Sequence, residues 1–183
     1  MTLIGITGTN GAGKGTVVDY IVKEKGFRHY SAREFLLAEI RHRGVLENRS
    51  SMREVANDFR RLYGPAYVIE QLYAEAEKDG KDAVIESVRA IGEAEFLKSK
   101  GALIGAVDAD RDIRYERIVV RGQITDKVSF EEFGIQEDRE MASIEPWDMN
   151  VFGVMDLADF KIVNNGSIQE LHAQIDALPI FKI

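Results

Sequence analysis

Cysteine is absent from all 183 residues, which excludes a disulfide framework and any zinc site built on thiolates. Histidine is scarce. His29, His42 and His172 have no His, Cys or carboxylate cluster at ligand spacing, so structural or surface roles are expected of them. No apolar run is long enough to span a bilayer, and no membrane partner is expected. Only residues 1–7 precede the first motif; a signal or transit peptide has no room there, and the expected compartment is the cytoplasm. Positive charge is in deficit: 24 Lys and Arg face 31 Asp and Glu, a formal net charge of -7. Such a chain neutralises a phosphate backbone poorly, so nucleic acid is not the expected principal partner. A small phosphorylated ligand needs only a few local cations, whatever the overall sign.

What is present describes one ordinary domain, residues 1–183. The length allows a full core, and two separate domains would be cramped. Apolar residues make up 45% and charged residues 30%, which excludes disordered and collagen-like classes. Short, non-alternating apolar runs at residues 3–6, 27–30, 82–86, 102–107 and 160–163 read as buried strands. Between them lie helical patterns. One runs from Lys14 to just before Gly26, carried by Val17, Val18, Ile21 and Val22. Another runs to about residue 43, with Ser31 as its N-cap and Glu34 three residues on. Residues 51–63 and 65–78 follow, divided at Gly64-Pro65 with proline in a first-turn position. Further helices are expected at 91–100, 110–121, 130–142, 148–157 and 167–178. Residues 122–128 show no periodicity and read as a mobile loop. Alternating strands and helices predict an α/β fold, a parallel sheet covered on both faces. Two connections exceed a minimal crossover: about 31–80, expected to form an acceptor-binding lobe, and about 122–139, expected to form a lid.

The most specific motif is Gly8-Thr9-Asn10-Gly11-Ala12-Gly13-Lys14, a G-x-x-x-x-G-K between a strand and a helix. Glycines let backbone N–H groups turn inward, and with the helix N-terminus these bind phosphate oxygens. Lys14 sets a full positive charge near the β and γ phosphates of ATP. Gly8, Asn10, Gly11, Ala12, Gly13, Lys14, Gly15 and Thr16 are the candidate ATP-binding residues, and a glycine-rich turn with a surface lysine is the plainer alternative. The usual hydroxyl residue after the lysine is replaced by Gly15, and Thr16 comes next. Gly-x-Gly-Lys-Gly-Thr resembles the nucleoside monophosphate kinases, adenylate kinase among them. The resemblance implies a magnesium ion held largely through water, with Thr16 and Glu86 as its candidate residues.

Further likenesses recur along the chain. Ser31-Ala32-Arg33-Glu34-Phe35-Leu36 is similar to the S-T-G-D-x-L stretch that opens the monophosphate-binding helix in these kinases, which makes Ser31 and Arg33 candidate acceptor residues. The family's following arginine is missing, and Leu37 stands there. Ile85-Glu86-Ser87-Val88-Arg89 is similar to D-G-x-x-R at a strand end, where Glu86 would hold magnesium waters and Arg89 would fork onto a phosphate; a strand-end salt bridge is the alternative. Arg117-Ile118-Val119-Val120-Arg121 is similar to the R-x-x-x-R that opens the lid. Its spacing puts both guanidinium groups on one helix face, with Arg114 a turn earlier; a solvated basic stripe is the alternative. Arg139 stands at a place comparable to a further family arginine. Lys14, Arg117, Arg121 and Arg139 are thus the candidate catalytic cations. Residues 158–171 resemble the last strand and helix of dephospho-CoA kinases, which puts Asn165 beside the adenine; a plain turn explains the same residues. Arg60 and Arg61 read as a solvated helix face.

Taken in order, the motifs resemble the adenylate-kinase-related and dephospho-CoA-kinase-like P-loop kinases over nearly the whole chain. The resemblance implies a three-layer P-loop NTPase fold with five parallel strands in the order 2-3-1-4-5 and with lid and acceptor-binding helical insertions. It implies transfer of the γ-phosphoryl group of ATP, with magnesium, to a small phosphorylated acceptor, most simply a nucleoside monophosphate. Dephospho-CoA, accepting on a ribose hydroxyl, is the alternative substrate. A nucleotide-binding regulator or slow ATPase is the reading from another class.

Overall fold

A computed structural model describes residues 1–122 and 128–182. Among these, five strands form one sheet: β1 (Leu3–Gly8), β2 (Arg28–Ser31), β3 (Ala83–Glu86), β4 (Leu103–Asp108) and β5 (Phe160–Val163). Every pairing is parallel and the order is β2-β3-β1-β4-β5, as expected. All six residues of the central β1 are buried, because helices cover both faces of the sheet; that is why the sequence shows apolar runs there instead of alternation. The register pairs Ile6 with Glu86 and Gly8 with Val107, while Ser31 pairs with Glu86 and Val163 with Asp108. The C-terminal ends of all five strands therefore emerge along one edge, where a parallel sheet offers its crevice.

One face carries α1 (Lys14–Lys25) and α9 (Ile168–Asp176), which enclose Val17, Ile21, Leu171 and Ile175 against Ile4, Ile6 and Ile162. The other carries α2 (Ala32–His42), α3 (Arg49–Tyr63), α4 (Tyr67–Asp79), α5 (Ile91–Ser99) and α8 (Val151–Asp156). Its core runs through Leu37, Ile40, Ile69, Leu97 and Val154. Above the strand ends lie α6 (Arg111–Arg121) and α7 (Phe130–Met141).

At two helix starts that differ from expectation, side-chain capping is the reason. The α3 helix begins two residues before the expected 51, because Asn48 and Ser51 close a capping box around its first turn. The α8 helix begins later than the expected 148: Asn150 Oδ1 accepts from Gly153 N at 2.8 Å and fixes the N-cap there. Ser31 does cap α2, its hydroxyl accepting from Glu34 N at 3.3 Å. Of the segment expected to be a mobile loop, residues 123–127 lie outside the described residues. Among the described residues no helix is long and apolar enough to cross a membrane.

Gly105 faces Phe160 across the β4–β5 pair, and a Cβ there would overlap the Phe160 ring. The substitution Gly105→Ala is expected to lower stability by about 1–3 kcal/mol through overpacking, read from the midpoint of chemical denaturation. An unchanged midpoint would show that β5 is free to shift.

Candidate functional site

The loop after β1 turns on glycines in the left-handed region. Gly11 has φ +80 and Gly13 φ +93. A Cβ on Gly11 would strike the Arg114 carbonyl and one on Gly13 the Asn164 side chain. The loop is held from both sides. Thr9 donates to Asp108 Oδ1 at 2.6 Å, and buried Arg114 donates to the carbonyls of Ala109 and Asn10 at 2.7 and 3.3 Å. Asn164, also buried, donates through Nδ2 to the Ala12 carbonyl at 2.8 Å. The loop thus delivers the N-terminus of α1 and its free backbone donors to a fixed place, which suits an anion.

Lys14 curls over this loop, donating to the carbonyls of Gly8 at 3.0 Å and Thr9 at 2.7 Å. Burial, with the charge of Arg89 added, brings its ammonium down from 10.5 to about 7, against the opposing pull of Glu86 and Glu140.

A cleft of about 580 Å³ opens over the loop. Of the expected ATP residues, Asn10, Gly11, Gly13, Lys14, Gly15 and Thr16 line it, as do Arg33, Glu86, Arg89, Arg117 and Arg121 from the other expected positions. Five expected residues stand elsewhere. Gly8 contributes its carbonyl to Lys14. The Ala12 side chain is buried in the core beneath the loop. Ser31 caps α2. Asn165 is exposed and its Oδ1 accepts from Asp110 N at 2.8 Å, while its neighbour Asn164 reaches the loop. Arg139 is exposed and outside the cleft lining.

The cleft also contains residues that sequence reasoning passed over: Asp19, Arg49, Met52, Glu140 and Met149. The missing family arginine bears on this. Leu37 is buried in the core, and Arg49, at the start of the next helix, brings a guanidinium to the cleft. It grips Glu140 with Nε and Nη2 at 2.6 and 2.7 Å. Arg89 Nη1 donates to Glu140 Oε2 at 3.2 Å. Burial works to raise the Glu140 carboxyl, but the charges of Arg89 and Arg49 hold it below the ordinary range. One turn earlier on α7, Glu137 receives Arg114 and, at 2.8 Å, Arg111 Nε. Two carboxylates, i and i+3, therefore tie α7 to cations on α6, α3 and the β3–α5 loop.

That loop is strained and braced. Ser87 has φ +73, uncommon without glycine. Its amide and that of Val88 both donate to the Ile6 carbonyl, at 3.0 and 3.1 Å. Glu93 Oε2 accepts from the amides of Arg89 and Ala90 at 2.8 and 3.1 Å. The other oxygen of Glu93 takes Arg60 Nε and Nη2 at 2.9 and 2.8 Å. The expectation of a solvated Arg60 is thereby corrected: the residue is 5% exposed, and its buried partner accounts for it.

Glu86 ends β3 beside the cleft and meets His29 Nε2 at 3.1 Å. Burial works against its charge, but His29, Lys14 and Arg89 keep the carboxyl below the ordinary range. Glu86, Asp19 and Thr16 all line the cleft, yet no group of three or more His, Cys, Asp or Glu forms a cation site among the described residues. This donor set fits a magnesium ion that keeps most of its water, and does not fit an all-protein cage.

Residues 7–132 match the AAA domain family. Over 181 residues the chain is 31% identical to a UPF0200 protein of Pyrobaculum aerophilum, spanning 96% of this chain and 95% of that one. It is 28% identical to a UPF0200 protein of Methanococcus vannielii over 182 residues, 97% and 95% of the two. Among solved structures, the shikimate kinase of Bacteroides thetaiotaomicron superposes with a TM-score of 0.63 at 13% identity, covering 96% of each chain. That likeness is one of fold: the architecture is that of a P-loop kinase.

The Lys14 environment has a measurable consequence. In the protein alone its ammonium loses its proton around pH 7. Phosphates placed over it favour the charged form and raise its pKa toward the ordinary value. Between these limits nucleotide binding takes up a proton, so affinity falls as pH rises above 7. Calorimetry at pH 8.5 in buffers of different ionisation enthalpy should report uptake of about one proton per ATP. A heat independent of buffer would refute this account of Lys14.

Proposed function

The chain belongs to the AAA domain family and to the UPF0200 proteins, and on that premise we propose that it transfers the γ-phosphoryl group of ATP to a small phosphorylated acceptor of the nucleoside monophosphate kind. The observation that carries the reading is the convergence of Lys14 with Arg33, Arg49, Arg89, Arg117 and Arg121 on one cleft. Phosphoryl transfer spreads negative charge over the moving group, and converging cations are what stabilise it.

In this reading the loop and Lys14 hold the β and γ phosphates, and Arg117 and Arg121 approach from α6. Arg33, Arg49 and Arg89 take the acceptor's phosphate. Beside them an apolar slot of about 80 Å³ runs between Ala32, Leu36, Met52, Val68 and Met149, suited to the less polar part of the acceptor. The acceptor oxygen is already anionic, so no general base is needed. Magnesium, when bound with ATP, would screen the phosphate charges; Glu86, Asp19 and Thr16 are the residues that would face its waters.

Glu86 supports a second reading. A carboxylate oriented by His29 in the same cleft can take a proton from a hydroxyl, as dephospho-CoA would require. Shikimate kinase, a structural neighbour at 13% identity, shares the fold, and a shared fold does not fix the acceptor.

ADP release should be assayed over ribo- and deoxyribonucleoside monophosphates, dephospho-CoA and no acceptor. Stimulation by a monophosphate is expected. Lys14→Ala should slow transfer at least about 10²-fold with the fold intact, and Arg89→Ala should impair acceptor binding and rate together. Turnover with dephospho-CoA alone, with an acid limb of the pH profile, where Glu86 takes up a proton, that Glu86→Gln abolishes, would transfer the assignment to the second reading. A slow rate indifferent to every acceptor would leave an ATPase or a nucleotide-binding regulator.

A further inference from the structure

The acceptor end of the cleft contains an anion supplied by the protein. We propose that Glu140 is a resident anion in the seat that Arg49 and Arg89 form for a phosphomonoester, so that acceptor binding exchanges the Glu140 carboxylate for the acceptor's phosphate. The proposal rests on the acceptor reading above and deepens it.

Geometry is the first argument. Arg49 grips both oxygens of Glu140, at 2.6 and 2.7 Å. Arg89 adds a third hydrogen bond at 3.2 Å. A planar guanidinium binds two oxygens of a carboxylate and two of a phosphate in the same fork, so the two anions compete for one place. Arg49, Arg89 and Glu140 all line the cleft that Lys14 lines, which puts this seat beside the phosphate loop.

Charge is the second argument. A carboxylate carries one negative charge against two guanidinium groups, while a phosphomonoester carries nearly two. A phosphate therefore satisfies both arginines better than Glu140 does. A neutral acceptor cannot displace Glu140 without leaving a 7%-exposed carboxylate beside cations it no longer contacts, which is unfavourable. Glu140 would thus select for phosphorylated acceptors and against unphosphorylated ones by the same contact.

Carriage is the third. Both arginines are on the scaffold: Arg49 in the first turn of α3, whose further residues Asn57 and Arg60 are buried, and Arg89 on the loop braced by Glu93. Glu140 is in the last turn of α7 and ties that turn to both arginines by ion pairs, while Glu137 and the buried Phe133 hold the earlier turns against α6. Exchange would free the last turn of α7 while Glu137 keeps the preceding turn on α6.

The probe is inorganic phosphate, titrated calorimetrically into protein whose loop is saturated with a non-hydrolysable ATP analogue. Glu140→Gln keeps the shape of the side chain and removes its charge. Because Glu140 occupies the seat most of the time in the unmodified protein, removing that competition should tighten phosphate binding about tenfold or more. The double variant Glu140→Gln with Arg49→Ala should lose the gain. In the unmodified protein, phosphate should speed hydrogen exchange in the last turn of α7, a readout that needs no variant. If the unmodified protein binds phosphate, but Glu140→Gln binds it no tighter or the last turn of α7 stays as protected as before, Glu140 is a fixed brace; the exchange is then refuted and the acceptor reading stands. If neither protein binds phosphate beyond the loop, the seat itself and the acceptor reading fall together.

Discussion

Positive charge gathered into a low-dielectric cleft must be balanced, and much of this structure follows from that constraint. A lysine and five arginines line one cavity in a chain whose net charge is -7. Isolated guanidinium groups half removed from water would repel one another and lose hydration. The protein answers with carboxylates placed among them: Glu86 at the end of β3, Glu93 behind the β3–α5 loop, and Glu137 and Glu140 on α7. The acidic excess of the sequence thus has a structural counterpart: Glu140 holds Arg49 and Arg89 of the cleft, and Glu93 and Glu137 hold Arg60, Arg111 and Arg114 around it.

The same pairs determine how the parts are connected. Along α3, Arg49, Asn57 and Arg60 point polar groups at Glu140, Asp148 and Glu93 in turn. Arg53 adds a second hold on Asp148, and its partnership helps bring that carboxyl to about 2, against the opposing effect of burial. A helix whose polar face is spent on ordered partners has its register fixed, which fixes where Arg49 meets the cleft. The Arg60–Glu93 pair is nearly sealed from water. Such a pair adds little net stability, but loss of either member leaves the other stranded, at a cost of about 3–5 kcal/mol. Its value lies in position: Glu93 also holds the amides of Arg89 and Ala90. The helix that carries Arg49 and the loop that carries Arg89 are thus coupled through one carboxylate.

Local signals in the chain carried the fold far. Apolar runs in Leu3–Gly8 and Leu103–Asp108, helical periodicity in Val17, Val18 and Ile21, and the capping of α2 by Ser31 are consequences of neighbours within a few residues, and the structure has each of them. The strand order came instead from a resemblance, since pairing between strands up to 100 residues apart leaves no local trace. Two helix starts shifted to where an asparagine caps the first turn: Asn48 with Ser51 for α3, Asn150 for α8. Arg60 was misjudged because a helix face that looks solvated can meet a carboxylate 33 residues away.

By itself the sequence determined the phosphate loop, because glycine spacing, lysine and helix start are all local chemistry within residues 8–16. It also determined that Glu86 stands at a strand end with Arg89 just beyond it. Only the tertiary structure decided which other charges join them. Arg49 takes a place in the cleft while Leu37 lies in the core; Asn164, and not Asn165, supports the loop; Arg139 faces outward while Glu140, one residue on, faces in. Each of these choices turns on a rotation of about 100° per residue around a helix, or on which side of a turn a side chain leaves, and distant packing sets that angle.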